Sequence, residues 1–137
     1  SYLKGSELKM ACACSSNCES NLVYACSGAA NTGALADQVA RTLMRDGSAD
    51  MTCLAAVGAG LSGFIQSARF ATRNIVLDGC AVACGKKIFE NRGLPFDHYV
   101  MTEFGVEKGK TSVTGDLIEN IAVQVAARAG LEQKLKV

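Results

Sequence analysis

Residues 74–93 read NIVLDGCAVACGKKIFENRG. The apolar run at 75–77 predicts a buried strand, and the Asp78-Gly79 pair predicts an abrupt turn after it. A helix pattern then runs from near Cys80 to Asn91, and Arg92-Gly93 is the signal that ends it. Cys80 and Cys84 are four residues apart, so a helix over both would place the two thiols on one face, about one turn apart.

The two thiols are therefore expected where a strand leads into a helix. In open α/β sheets this junction lies at the carboxyl edge, where such sheets bind their ligands. The first turn of a helix also carries a partial positive charge, which favours the thiolate form of a cysteine. The stretch 74–93 thus predicts a functional thiol site at the sheet edge.

The same strand and helix pattern recurs about every 25 residues along the chain. Strand patterns occur at LVYACSG, MTCLAAVG, NIVLDGC and HYVMTEFG, and helix patterns occupy about 33–45, 61–72, 80–91 and 114–130. This alternation predicts an α/β fold, a three-layer sandwich with helices on both faces of a small parallel sheet. Right-handed crossovers favour four strands in the order 2-1-3-4, in a Rossmann-like or flavodoxin-like arrangement.

Length and composition indicate one domain. The 137 residues are 49% hydrophobic, which is enough for a single core. Residues 1–19 are polar and broken, and we interpret them as a cysteine-containing arm that precedes an α/β domain at 20–137. The net charge of +1, the scattered basic residues and the 6% aromatic content argue against nucleic-acid binding.

Membrane and secretory signals are not expected either. No apolar run approaches the roughly 20 residues of a membrane span, and the first residues carry no apolar signal core. We therefore expect a cytoplasmic protein without a membrane partner. Its protein partner, if there is one, is not indicated by the sequence.

Seven cysteines make up an odd number that does not suit a disulfide framework. Any single cysteine is most simply a small buried residue, but clusters in a cytosolic chain favour metal binding or chemistry. Three of the cysteines form a CxCxxxC pattern in the arm, at Cys12, Cys14 and Cys18. This spacing is unusual for zinc.

First turns after parallel strands share one edge of the sheet, so distant cysteines are expected to meet there. Cys26, Cys53, Cys80 and Cys84 could form a tetrahedral thiolate site, in which a metal ion offsets the repulsion between thiolates. Zn²⁺ is the expected cofactor, and an iron–sulfur cluster is the alternative cofactor that the same thiolates could bind. Cys53 reaches the edge only if its strand ends near Leu54. His98 is expected to make a local polar contact rather than to bind metal.

The stretch CSGAANTG, residues 26–33, supports an alternative reading. A cysteine at a strand end, followed by small residues and a helix start, resembles an anion-holding nucleophile loop. It contains no arginine to clamp a phosphate ester, so phosphatase activity is disfavoured, whereas a phosphocysteine or persulfide carrier with Cys26 as nucleophile stays open. The simplest reading is a tight turn at Gly28 and Gly33, with Asn31 or Thr32 as the helix cap.

Three further residues near Cys80 are charged. Lys86 and Lys87 would offset the charge of a thiolate cluster, or they are solvated on a helix surface. Asp78 is most simply the residue that makes the turn and caps the next helix.

These motifs together resemble the DGC domain family, whose members are regarded as zinc-binding. The likeness rests on Asp78-Gly79-Cys80 with Cys84 and the double lysine, on CSGAANTG, on CLAAVGAG at 53–60 and on VMTEFGVEK at 100–108. The resemblance implies zinc ligands at Cys26, Cys53, Cys80 and Cys84, and it supplies no reaction. The three cysteines of the arm lie outside the matched stretch, where they form a second site or complete the first.

Overall fold

The computed structural model describes residues 19–132. The predicted arm therefore lies outside the described residues except for Glu19. Four strands, five α-helices and one short 3-10 helix follow one another along the described chain: β1 Asn21–Ala25, α1 Asn31–Arg45, β2 Asp50–Met51, α2 Leu54–Gly58, α3 Ser62–Phe70, β3 Arg73–Asp78, α4 Cys84–Asn91, β4 Asp97–Val100, the 3-10 helix Met101–Phe104 and α5 Gly115–Ala129.

The four strands form one parallel sheet in the order β2-β1-β3-β4, as predicted. β1 and β3 pair along their whole common length, with Ala25 opposite Leu77 at the carboxyl end. β4 pairs with the other edge of β3, with Val100 opposite Asp78. The carboxyl ends of β1 and β3 are therefore neighbours at the centre of the sheet, which is where the cysteines that follow them emerge.

Alternate residues of the strands face two separate apolar cores, because successive side chains of a strand point to opposite faces. Val23, Ala25, Ile75 and Leu77 pack on one side against α1 and α5, whose fully buried residues include Leu35, Val39, Ile121 and Val125. Tyr24 and Val76 pack on the other side with Leu54, Val57, Ala68 and Phe89 from α2, α3 and α4. Each large apolar side chain buried in this way contributes about 1.5–3 kcal/mol. The result is the three-layer α/β sandwich that the periodicity predicts.

The second strand is the main difference in the central region of the chain. MTCLAAVG was expected to be a strand, but β2 covers only two residues and the run from Leu54 forms helix α2. Short apolar runs do not distinguish a buried strand from a helix, and the alanines of this run favour helix. Because β2 ends at Met51, Cys53 lies beyond the strand, at the position directly before the first residue of α2, and its side chain makes no capping hydrogen bond.

The helix predicted over 80–91, which is α4 of the structure, also begins later than predicted. α4 starts at Cys84, and Cys80 lies in a turn before it. Ala83 separates the two in the left-handed region, with φ of 55°. The expectation that Cys80 and Cys84 share one helical face is therefore wrong, since no helix spans them.

Helices α1 and α5 match the predicted bounds closely. Thr114 caps α5 by accepting a hydrogen bond from the Leu117 N–H at 3.2 Å, and Gly130 ends that helix with φ of 69°. α1 is capped by Ala30, which has no side-chain acceptor, so the predicted caps Asn31 and Thr32 are wrong. No helix within residues 19–132 is both long and apolar enough to cross a lipid bilayer.

Candidate thiolate site

Cys26 and the residues after β3 are in direct contact at the carboxyl edge. The Cys26 N–H donates to the Leu77 carbonyl at 3.0 Å, which continues the β1–β3 ladder by one residue. The Cys26 Sγ then accepts a hydrogen bond from the Gly79 N–H at 3.3 Å. The thiol of Cys26 therefore lies against the backbone of the residue that precedes Cys80.

Close backbone packing explains the glycine at position 79. A Cβ there would lie 2.6 Å from the Thr32 carbonyl carbon and 2.7 Å from the Gly33 nitrogen, both in the first turn of α1. Gly33 in turn lies so close to Gly28 that a Cβ would not fit between them. The loops after β1 and β3 thus pack against each other through glycines, which brings Cys26, Cys80 and the start of α1 to one place.

Asp78 organises the turn that carries Cys80. Its side chain is 1% exposed, and its carboxylate accepts the Gly85 N–H at 2.8 Å and the Lys86 N–H at 3.0 Å. It therefore caps the first turn of α4 from across the loop, which agrees with its predicted role as turn and cap residue. The His98 Nε2 lies 2.7 Å from the same carboxylate, so His98 makes the local polar contact that was predicted.

Cys80 is half-exposed and lies beside a cation. The Lys108 Nζ donates to the Cys80 Sγ at 3.4 Å. The pKa of the Cys80 thiol is lowered, mainly because the Val82 N–H donates to its sulfur. Partial burial opposes this shift, the hydrogen bond and charge of Lys108 support it, and the charge of Asp78 again opposes it. The net effect makes the thiolate form of Cys80 more accessible than that of an ordinary cysteine.

Asn31 holds the loop that carries Lys108. Its Nδ2 donates to the carbonyls of Glu107 at 3.1 Å and Thr111 at 2.8 Å, and its Oδ1 accepts the Gly109 N–H at 2.6 Å. One side chain from the start of α1 thus fixes three backbone groups around Lys108. Neither Asn31 nor Lys108 was predicted to belong to the site. The only signal was their presence in CSGAANTG and VMTEFGVEK, two of the motifs on which the family resemblance rests.

The other predicted site residues are more exposed. Cys53 and Cys84 are exposed at the first turns of α2 and α4. Lys86 and Lys87 are also exposed, which agrees with the reading that they are solvated.

Metal binding needs more ligands than the described residues bring together. Within residues 19–132, no three histidine, cysteine or acidic side chains form a group that could hold a metal ion. Structural zinc takes four ligands, so these residues alone do not fit it. Cys12, Cys14 and Cys18 lie outside the described residues, and the full ligand set stays a prediction.

Comparison with known proteins agrees with the resemblance found in the motifs. The chain is 36% identical over 88 residues to the anaerobic and virulence modulator AnvM of Pseudomonas aeruginosa, an alignment that covers 64% of this chain and 67% of AnvM. No solved structure gives a significant match, so the Rossmann-like or flavodoxin-like label has no structural neighbour to support it. The family model of the DGC domain matches residues 22–125, which include all of the sheet except Asn21 and all but the last turn of α5. The chain therefore belongs to the DGC domain family.

Proposed function

We propose that this protein acts through a thiolate at Cys80, with Cys26 as a second thiol that completes its chemistry. The observation that carries the proposal is the contact of the Lys108 ammonium with the Cys80 sulfur, at a half-exposed position on the carboxyl edge of the sheet, together with the lowered pKa of this thiol. The thiolate is the reactive form of cysteine, and a neighbouring lysine and a backbone N–H both stabilise it.

The geometry favours Cys80 rather than Cys26 as the nucleophile. Cys26 accepts one backbone N–H, and no cation among the described residues contacts its sulfur. In a thiol exchange, the Cys80 thiolate attacks a disulfide, a mixed disulfide forms and one thiolate leaves. The Cys26 thiolate then attacks the Cys80 sulfur, so that a Cys26–Cys80 disulfide forms and the second thiolate leaves. The substrate disulfide is reduced, and the protein thiols are oxidised.

Cys53 and Cys84 provide internal controls for this proposal, because they are more exposed than Cys80 and contact no cation in the described part of the chain. The reduced protein is treated at pH 7 with a neutral alkylating reagent, and the rate at each cysteine is read by peptide mass spectrometry. We expect Cys80 to react fastest, by roughly threefold for each unit that its pKa is lowered. If Cys53 or Cys84 reacts faster than Cys80, exposure controls reactivity and the proposal is wrong.

The relative AnvM is named as an anaerobic and virulence modulator. A pair of thiols that stays reduced without oxidants and joins in their presence suits a regulatory role of that kind. We extend this role to the present chain as part of the proposal. Reduced thiols also fit the cytoplasm, where glutathione and thioredoxin keep cysteines reduced.

Zinc binding is a second candidate function, favoured by two cysteines on one sheet edge together with the family resemblance. Further ligands would then come from Cys53 and Cys84 after rearrangement, or from the N-terminal cysteines. Chain length limits the second route. The Ser20 N–H donates to Thr72 Oγ1 at 3.0 Å, so the chain enters at the amino end of the sheet. β1 has five residues and spans about 17 Å. Cys18 directly precedes Glu19, so the chain between them is too short for Cys18 to reach the carboxyl edge of the sheet.

Cys12 lies seven residues before Glu19, and an extended chain of that length reaches about 23–25 Å. Cys12 is therefore the N-terminal cysteine best able to share a site with Cys26 and Cys80, and Cys14 is at the limit of its reach. An iron–sulfur cluster would take the same kind of thiolate ligands as zinc, and metal analysis distinguishes a zinc site from a cluster.

The metal content of protein purified without oxygen, added metal or a histidine tag tests this candidate. Three double variants are compared: C26S/C80S, C53S/C84S and C12S/C14S. About one zinc per chain that C26S/C80S and C12S/C14S both remove would support the shared site. Loss of zinc in C53S/C84S would instead support the ligand set that the family resemblance implies, which includes Cys53 and Cys84. Iron with labile sulfide, or no metal in the wild type, would contradict zinc binding.

A further inference from the structure

The surroundings of Cys80 suggest what kind of ligand the site accepts. Lys108 is exposed, so its ammonium group contacts the Cys80 sulfur and also remains available to a molecule that approaches from solvent. The nearest carboxylate in the turn, that of Asp78, is buried and already engaged by two N–H groups and His98. A ligand at Cys80 therefore approaches next to an exposed positive charge that is bonded to the sulfur itself, while the carboxylate of Asp78 is engaged by its own partners.

The first turn of α1 adds to this asymmetry. It contains no acidic residue, and its cap Ala30 offers no side-chain acceptor. It packs directly against Gly79, the residue before Cys80. The Thr32 hydroxyl in the same turn is 1% exposed and has no hydrogen-bond partner. The positive end of the helix dipole thus lies against Gly79, one residue before Cys80, without a counter-charge from the turn itself.

Asn31 makes the position of Lys108 specific. Its three hydrogen bonds to the backbone of 107–111 hold the loop that carries Lys108, and Lys110 of the same loop faces Glu107 at 3.9 Å instead. The two lysines carry the same charge on the same loop, but only Lys108 contacts the sulfur. Lys110 therefore serves as the control, because it carries the same charge without contacting the sulfur.

We infer that the site accepts anionic sulfur compounds, such as disulfides that carry a carboxylate or sulfonate, and that Lys108 selects them, with Asn31 as its positioning residue. This inference rests on the proposed reactive thiol at Cys80. In each reaction the Cys80 thiolate attacks the ligand sulfur, a new S–S bond forms, and the former partner of that sulfur leaves with the electron pair.

Two methanethiosulfonate reagents of similar size test the inference, one with a sulfonate and one with a trimethylammonium group. Labelling of Cys80 in the full reduced chain is followed by mass spectrometry for each reagent. The same thiolate attacks the sulfur of either reagent and methanesulfinate leaves, so the ratio of the two rates cancels the degree of ionisation and the nucleophilicity of the Cys80 sulfur. Dividing this ratio by the one measured with a small free thiol removes the intrinsic difference between the reagents and leaves the effect of the charge that the reagent meets.

We expect the wild type to prefer the anionic reagent and K108M to lower the anionic-to-cationic ratio roughly 5- to 10-fold, as a unit charge about 6 Å from the charge of the reagent does in water. K108R should retain the ratio, K110M should change it less than twofold, and N31A should lower it because the loop is released. High salt should reduce the preference of the wild type.

An unchanged ratio in K108M, or an equal fall in K110M, would overturn the inference. Because Lys108 is exposed, K108M is expected to fold, so the test does not depend on N31A. Failure of the proposed function appears separately, as slow absolute labelling of Cys80 by both reagents compared with Cys84. A ratio that follows Lys108 in spite of slow labelling would still support anion selection.

Discussion

The reactivity of a cysteine at this sheet edge depends on individual neighbouring groups. Cys80 and Cys84 are close in sequence, yet only Cys80 has a lysine and a turn N–H on its sulfur. Thiols with such donors ionise at lower pH than thiols that face only water. Two cysteines of one motif therefore have different chemistry.

The pH dependence of alkylation should show this difference. Because the pKa of Cys80 is lowered, its thiolate persists as the pH falls, until the pH drops below that lowered value. We expect the rate curve of Cys80 to inflect at lower pH than that of a small free thiol such as N-acetylcysteine measured beside it. K108M should move the inflection of Cys80 upward. An inflection of Cys80 that coincides with that of the free thiol would contradict a stabilised thiolate.

At the scale of elements, the site depends on how the β1–α1 and β3–α4 connections pack together. Gly79 allows backbone contact with α1, and Asp78 holds the first turn of α4 while Ala83 turns the chain. Asp78 and Gly79 of the DGC motif therefore have structural roles, and the cysteine of the motif is the residue to which we assign the proposed chemistry.

Gly79→Ala tests the backbone contact. The new Cβ would overlap three backbone atoms of α1, which cannot rotate away, so we expect a loss of roughly 1–3 kcal/mol in the free energy of unfolding. Gly63→Ala is the control, because nothing lies within 4 Å of a Cβ there and helix α3 gains a better helix former. Urea unfolding of both variants decides the point. Equal stability of the two would show that the contact does not restrict position 79.

Asp78→Ala removes the acceptor of two amide groups in the first turn of α4. The Gly85 N–H is buried, so we expect a loss of roughly 2–4 kcal/mol and early exchange of the Gly85 and Lys86 amides. Hydrogen exchange measured by NMR would locate the effect. Asp97→Ala at an exposed position on β4 provides the control. Unchanged protection of the first turn would contradict the cap.

At the scale of the whole molecule, a buried polar residue ties together elements that are distant in sequence. Asn74 is 3% exposed, and its Nδ2 donates to the carbonyls of Ala68 at 2.7 Å and Pro95 at 3.0 Å. Its Oδ1 accepts the Tyr24 hydroxyl at 2.8 Å. One amide thus connects β1, β3, the end of α3 and the chain before β4.

Asn74→Ala would leave these buried polar groups without partners. We expect it to cost roughly 3 kcal/mol, with the urea midpoint lowered and the slope of the transition unchanged. Asn120→Ala on the exposed surface of α5 should change stability by less than about 0.5 kcal/mol. If Asn74→Ala is as stable as Asn120→Ala, the buried network does not hold the elements together.

The sequence by itself determined the alternation of strands and helices except for α2, the parallel sheet 2-1-3-4 and the location of Cys26 and Cys80 at its carboxyl edge. These features follow from periodicity and from the handedness of crossovers, which act over one strand and one helix at a time. The bounds of α1 and α5 followed from their glycine and turn signals. Local patterns were therefore enough for the architecture.

Only the tertiary structure decided which groups surround each thiol. Lys108 lies 28 residues from Cys80, and Asn31 lies more than 70 residues from the loop that it holds. Asp78 caps α4 across a loop, which moves the helix start to Cys84 and separates two cysteines that the sequence pattern had placed on one face. Such contacts depend on where distant segments meet, and the spacing of residues along the chain does not encode that meeting directly.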